Sequence, residues 1–506
     1  MTTEITRALF ASKTPIYERA AWVLWIVLLM TIPITSFPLV SQYFGYSTVS
    51  PLPAVPLILL LIVWLLPYFL RGGRFPTVAV PLIVFVLIAI LSSLRAPFLE
   101  IYPFKGFSVL GREVRALLTL AVGISFYLVA ITLPNSDERL RKSLRWLYIG
   151  AIIMLLWSSV QVYRLPYSYN PPPVTLNNFH RLFSITNLFR DRVTGFAYEP
   201  SWLADQLTVL YLPLWLASVI NGYTVFGSKS RRISVELLLF LWGCVVLFFT
   251  YSRIGLLAFT AAIAILLLFG SWRWIDDQAE RRSSGGRWSK GQWKIILWFC
   301  LILIIVIFTV GVVSLAALTN ERIRGIMSVD LQSILNSERL PVIYNLANHL
   351  EYAERLLYWI SAFLIFSRYP LIGIGLGNMG FLFRDVVPAF GYYLPEILMI
   401  LRPGRVAIAN TKSLWMRLLS ETGLLGILSF MSWNVVMAIS SLTLVREWKG
   451  IFAVIGLAGA LAITAFLFEG FSLDTFALPQ LWIIMGFLSA AVTLRQSRKE
   501  QMEPIQ

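Results

Sequence analysis

Twelve apolar stretches, each long enough to cross a bilayer as a helix, dictate what this chain can fold into. They fall at about 20–40, 52–70, 75–94, 114–133, 144–163, 201–220, 233–251, 254–272, 294–318, 423–445, 451–470 and 475–494. A hydrocarbon core of about 30 Å takes roughly 20 helical residues to span. Lipid offers no hydrogen bonds, so each span must satisfy its own backbone, which a helix does. Composition agrees, with 58 % hydrophobic and only 13 % charged residues, where a soluble domain carries about a quarter charged. The expectation is an all-α polytopic membrane protein. The first apolar run, from Ala20, is too long for a cleavable signal and lacks a small-residue cleavage site, so it is expected to stay as the first anchor.

An even number of spans puts both termini on one side, and the distribution of Lys and Arg sets which side that is. With the termini cytoplasmic, the inside segments carry 23 basic residues and the outside segments 19. The inside excess sits in short loops, as positive-inside topology requires. A net charge of +16 is therefore spread over many loops rather than gathered in a stripe for nucleic acid, and no nucleic-acid partner is expected. Cys244 and Cys300 lie inside apolar runs and read as small core hydrophobes. With two histidines in the whole chain, no metal site is expected.

The chain divides into 1–318 with nine spans, 319–422 as a large extracytoplasmic loop with short helices, and 423–506 with three spans and a cytoplasmic tail. A connection of that length is usually functional or disordered, and apolar and aromatic residues throughout argue against disorder. It holds ten of the outside basic residues and the run Tyr369-Pro-Leu-Ile-Gly-Ile-Gly-Leu-Gly-Asn378. Of the 19 outside basic residues only Lys105 and Lys412 are lysine. Arginine's planar fork matches phosphate bidentately and keeps its charge when half-buried. An arginine-rich outer face therefore points to an anionic, phosphate-bearing ligand; the alternative is contact with lipid headgroups or with local carboxylates.

Two further positions stand out. Glu199, before Pro200, sits where it can cap the next helix, or serve as an ionisable group facing the arginine-rich side. Arg253 falls in the short turn Thr250-Tyr-Ser-Arg253-Ile-Gly255 near membrane depth and needs an anionic partner.

Three motifs in order then resemble the O-antigen ligase and O-antigen polymerase superfamily: Arg192-x-x-Gly195 with Glu199-Pro-Ser201; Ser252-Arg253-x-Gly255; and Arg355, Pro370-Leu-Ile-Gly-Ile-Gly-Leu-Gly-Asn378 and Ser413 through Glu421-Thr-Gly-Leu-Leu-Gly426. The resemblance covers roughly residues 190–440 and agrees with the span layout. It implies a GT-C-like membrane glycosyltransferase in the plasma (inner) membrane. Donor and acceptor would be oligosaccharides on polyprenyl pyrophosphate, joined on the extracytoplasmic face without a cofactor, beside a flippase and a chain-length regulator of the same pathway. Ligases of the family carry a His-Asn pair where this chain reads Lys412-Ser413, which leans towards a Wzy-type polymerase, with a ligase as alternative and a lipid-linked glycan or anion transporter as a second.

The resemblance further implies roles. Arg192, Arg253 and Arg355 would stabilise the pyrophosphate, and Glu199 would be the base. Arg402, Lys412, Arg384, Asn378 and Arg417 would contact substrate, while His349, Glu351 and Glu354 stay open as alternatives to Glu199. Gly373, Gly375 and Gly377 would let backbone approach a ligand, or would pack helices tightly.

Overall fold

The computed structural model describes residues 16–43, 47–73, 75–165, 171–227, 234–283, 288–319, 324, 347, 352–402, 408–447 and 449–502. The described residues are helical, with no strand beyond two isolated bridges. Numbering the longer helices in order gives α1 Ile16–Thr31, α2 Ala54–Leu70, α3 Thr77–Phe98, α4 Val109–Thr132, α5 Asp137–Arg164, α6 Pro200–Ile220, α7 Val235–Phe249, α8 Arg253–Gly270, α9 Trp272–Ser283, α10 Lys290–Thr319, α11 Ala353–Arg368, α12 Leu414–Glu447, α13 Ile451–Glu469 and α14 Pro479–Met502. Eight of these (α3, α4, α5, α6, α8, α10, α12, α13) are long and apolar enough to cross a membrane, and α2 and α7 are shorter apolar helices. Helices α1 and α14 occupy the first and last apolar stretches of the sequence. The first differs from expectation in stopping at Thr31, because Pro33 lacks the N–H to continue it.

Helices α6 and α13 form the centre: 83 % and 72 % of their apolar stretches lie buried, against 0 % for α10, which lies at the periphery against α8 and α9. Close approach depends on small residues rather than on hydrophobic contrast, which lipid does not supply. A Cβ on Gly456 would come within 2.8 Å of Leu444 Cβ, and one on Gly459 within 2.6 Å of Ser441 Oγ, fixing α13 against α12. In both α2 and α6 a proline (Pro67, Pro213) follows a π-helical turn, Leu61–Leu65 and Leu207–Tyr211. A proline ring clashes with the carbonyl four residues back, and widening the turn relieves it.

Four of the segments expected in the cytoplasm, at the N-terminus, near Arg71, at 134–145 and in the C-terminal helix, are joined by side-chain contacts. Arg139 pairs with Glu18 at 3.3 Å, Arg498 with Asp137 at 2.6 Å, and Arg71 donates to Tyr17 at 2.6 Å.

In the long stretch, α11 and two short helices, Met379–Val386 and Pro395–Leu401, share an apolar cluster that includes Leu357, Tyr358, Met379, Phe383 and Ile397. Helix α12 begins at Leu414, not 423, and is interrupted at Gly423, where φ is 66° and ψ −166°. A helix break orphans carbonyls before it and amides after it. The glycine-alternating run takes up both. Ile374 N and Gly375 N donate to Ser420 O and Glu421 O at 3.3 and 2.9 Å, while Leu424 N and Leu425 N donate to Pro370 O and Leu371 O at 2.8 and 3.1 Å. Ser92 Oγ of α3 bonds the Glu421 carbonyl at 2.6 Å and accepts from Gly375 N at 2.9 Å. A Cβ on Gly373 would lie 2.4 Å from the Glu421 carbonyl carbon. The run is thus a plug for a broken helix; of the two roles the sequence allowed, close packing is the one in place.

Candidate functional site

The first wall is Arg192–Glu199. Helix α7 ends at Phe249, leaving terminal carbonyls without intrahelical partners. Val193 N donates to Phe249 O at 3.0 Å and Arg192 Nε to Thr250 O at 2.9 Å. Behind this loop Gln161, buried in α5, accepts from Thr194 N and Gly195 N at 2.9 and 3.1 Å and donates to Gly195 O at 2.9 Å. Gly195 has φ +58°, and a Cβ there would meet Ser158 Oγ at 3.1 Å. Tyr198 N donates to Thr35 Oγ1 at 2.9 Å, tying the loop to the chain beyond α1.

Glu199 holds the N-cap position of α6, yet its carboxylate makes no cap bond; its backbone carbonyl accepts from Trp202 N at 3.0 Å. The carboxylate instead accepts from Ser201 Oγ at 2.5 Å. Burial pushes the Tyr198 phenol up, and the charge on Glu199 pushes it further.

The second wall is the turn into α8. Tyr251 is left-handed, φ +45°, a strained state for a non-glycine residue. Ser252 caps α8 by accepting from Gly255 N at 3.2 Å. A Cβ on Gly255 would stand 2.6 Å from Ala204 Cβ, so glycine lets the start of α8 press on the start of α6. Arg253 and Glu199 then line the same cavity.

Arg355, in the first turn of α11, supplies the third wall. Its Nη1 points at three carbonyls, Lys412 O at 3.2 Å, Ser472 O at 3.4 Å and Phe471 O at 3.5 Å, and its guanidinium lies 5.9 Å from the Tyr352 ring centre. Burial raises the Tyr352 phenol while Arg355 and Arg253 draw it back, so both guanidinium groups act on that residue.

These walls enclose a cavity of about 500 Å³ lined by Arg192, Glu199, Ser201, Tyr251, Arg253, Tyr352, Arg355 and Ser472, with Phe189, Ile254 and Leu257 as its apolar side. Arg192, Glu199, Arg253 and Arg355, four residues from three distant segments, thus line one space. Three fixed cations and one carboxylate around such a volume suit a doubly charged leaving group beside a hydroxyl that must lose a proton.

The remaining sequence candidates lie elsewhere. The Lys412 ammonium pairs with Glu396 and sits 5.2 Å from the centre of the Tyr358 ring, whose hydroxyl donates to Glu396 at 2.9 Å; only its carbonyl reaches towards the cavity, through Arg355. The Asn378 amide is buried, donating to Glu113 Oε1 at 2.6 Å and Ile374 O at 2.9 Å, so it braces α4 against the glycine run. Arg384 and Arg402 are exposed and do not line the cavity. Arg417 pairs with Glu421 at 2.9 Å and lines a neighbouring cavity. Glu354 is half-buried and does not line the first cavity. His349 and Glu351 lie outside the described residues. Sequence reasoning missed Gln161, Tyr352 and Ser472. A lone glutamine in an apolar span is a readable signal; Ser472 carries none, since only packing brings the α13–α14 turn to Arg355.

No curated protein matches the chain. Residues 238–431 match the family model described as O-antigen ligase, a stretch that contains Arg253, Arg355, the glycine run and Glu421 but neither Arg192 nor Glu199. Over that stretch the chain is similar to the O-antigen ligase and O-antigen polymerase superfamily, which supports the resemblance carried by its motifs.

Proposed function

We propose that the chain is a membrane glycosyltransferase that polymerises oligosaccharide repeat units carried on polyprenyl pyrophosphate, with twelve spans, both termini cytoplasmic and the cavity on the extracytoplasmic face. The observation that carries this reading is the convergence of Arg192, Arg253, Arg355 and Glu199 on one cavity.

The acceptor hydroxyl oxygen attacks the anomeric carbon of the donor sugar, and the bond from that carbon to the phosphate oxygen breaks, inverting the centre. The hydroxyl proton passes to Glu199, a base on the face opposite the leaving group. Polyprenyl pyrophosphate departs with the bonding electron pair, and the charge it gains falls on the three guanidinium groups. Their positions are set before the reaction by protein partners, so no reorganisation opposes the developing charge. Each charge pair at about 4 Å is worth on the order of 4 kcal/mol at an effective dielectric constant of about 20. The polymerase is favoured over the ligase by the Lys412-Ser413 positions, where Lys412 is committed to Glu396 and leaves no imidazole.

The test is a deletion strain whose surface polysaccharide is run on a gel, complemented by wild type or Glu199→Gln. One repeat unit in place of a ladder, restored by wild type and not by the variant, supports the reading. A ladder that forms but stays on its lipid carrier makes the protein a ligase, and a normal, correctly attached ladder refutes both.

A further inference from the structure

A second cavity, of about 260 Å³, opens beside the first. Four of its residues, Arg112, Arg115, Ala116 and Thr119, form one stripe of α4 at helical spacing. Arg417, Glu421 and Asp474 stand opposite. The two cavities share a wall: Ser472 lines the first, and Asp474 and Thr475 line the second. Arg355 holds the Ser472 carbonyl from one side and Arg417 holds the Asp474 carbonyl from the other. Two residues of extended chain span at most about 7 Å, so a ligand in one cavity is within a short saccharide's reach of the other.

The charges in the second cavity do not cancel. Arg417 is neutralised by Glu421. Arg112 spends its Nε on Gly377 O at 3.0 Å and lies 6.0 and 5.9 Å from the Phe107 and Phe381 ring centres, but no carboxylate pairs with it among the described residues. Arg115 is exposed to the cavity and makes no ion pair or hydrogen bond among the described residues. Three guanidinium groups, Arg112, Arg115 and Arg417, thus share the space with two carboxylates, Glu421 and Asp474. Phe107 and the amide of Asn410 also line the space, giving the mixture of ring face and polar groups that holds a sugar.

Resting on the reading of the first cavity as the transfer site, we infer that the second cavity seats an anionic sugar of the acceptor, through Arg115 and Arg112, while the donor pyrophosphate occupies the first. The acceptor's carboxylate or phosphate substituent is then recognised beside the point of bond formation, and the enzyme selects acidic repeat units.

The experiment uses the full chain in lipid nanodiscs. Binding of a soluble galacturonate trisaccharide, a galactose phosphate and a neutral galactose trisaccharide is measured for wild type, Arg115→Ala, Arg115→Glu and Arg192→Ala. Wild type binds one or both acidic probes and not the neutral one, and comparing the uronate with the phosphate separates carboxylate from phosphate recognition. Removing one charged hydrogen bond, worth about 1.5–3 kcal/mol, weakens galacturonate binding about 10- to 100-fold in Arg115→Ala, more in Arg115→Glu and not in Arg192→Ala, while any galactose phosphate binding lost in Arg192→Ala but kept in Arg115→Ala belongs to the first cavity. In the coupling assay both Arg115 variants raise the acceptor KM and leave kcat and the donor KM in place. Equal binding of the neutral probe, or acidic-probe binding unchanged in folded Arg115 variants, overturns the inference. Donor KM unchanged in Arg192→Ala would instead overturn the reading of the first cavity, and probe binding lost with Arg115 alone would still stand.

Discussion

Replacing Gly423 by alanine attacks the break in α12 from two directions. Its backbone, at φ 66° and ψ −166°, lies in a region that essentially only glycine enters, at a cost of about 1–3 kcal/mol for another residue. The added Cβ would also lie 2.4 Å from Leu371 O and 2.6 Å from Ile372 N, where a carbon needs more than 3 Å. The contact is backbone, so no side chain can swing aside. Residues 370–372 must retreat, loosening the bonds from Leu424 N and Leu425 N, now 2.8 and 3.1 Å. Each buried amide left without a partner costs about 1–3 kcal/mol. The total is about 3–9 kcal/mol if both amides lose their partners, large for one methyl group. Tryptophan fluorescence of the purified protein in detergent, followed through its melt, reads the effect. Gly311→Ala is the control: a glycine of α10 with open space around it, where alanine gains up to about 1 kcal/mol of helix propensity. A Gly423→Ala protein melting within about 1 °C of wild type would refute the plug, and with it the account of why this loop alternates glycine.

Arg253→Lys keeps the charge but loses the fork, and kcat/KM should fall about 10- to 100-fold with an unchanged melt; wild-type activity in that variant removes bidentate phosphate binding from this position. Because three guanidinium groups stand where the leaving group's charge develops, transfer measured in EDTA should stay within about twofold of the untreated rate, and a strict divalent-ion requirement refutes that assignment. His180 is buried, stacked 6.4 Å from Trp157, and both ring nitrogens lack a hydrogen-bond partner among the described residues. Burial lowers it from 6.5 to about 4. The unfolded chain therefore takes the proton first, and stability present above pH 6.5 is lost as pH falls towards 4, by up to about 3 kcal/mol. His180→Phe should flatten the melting temperature over that window; an unaltered pH profile would place the imidazole in contact with water.

That the chain is a bundle of apolar helices was legible in the sequence, and so were four of the residues that line the first cavity. Apolar stretches of about 20 residues become helices whatever surrounds them, because lipid leaves the backbone no other way to pair its amides and carbonyls. Arg192-x-x-Gly195 and Ser252-Arg253-x-Gly255 were readable for a related reason. A glycine beside an arginine marks where backbone must come close, here Gly195 to Ser158 and Gly255 to Ala204. Gln161 carried a signal that went unused.

What only the tertiary structure decided was the fate of each charge and each glycine. Lys412, Asn378 and Arg417 look in sequence like Arg253 and Arg355. Packing gives them Glu396, Glu113 and Glu421 as partners, and so takes the first two out of the ligand's reach and puts the third in the neighbouring cavity. The Gly373–Gly377 run answers a break in α12 some 50 positions later in the chain, and the stripe Arg112-Arg115 faces Asp474, more than 350 positions away. Local sequence sets helix formation because its hydrogen bonds join residues four apart. Charge pairing, plugging and cavity formation join residues hundreds apart, and that register exists only once the helices have packed.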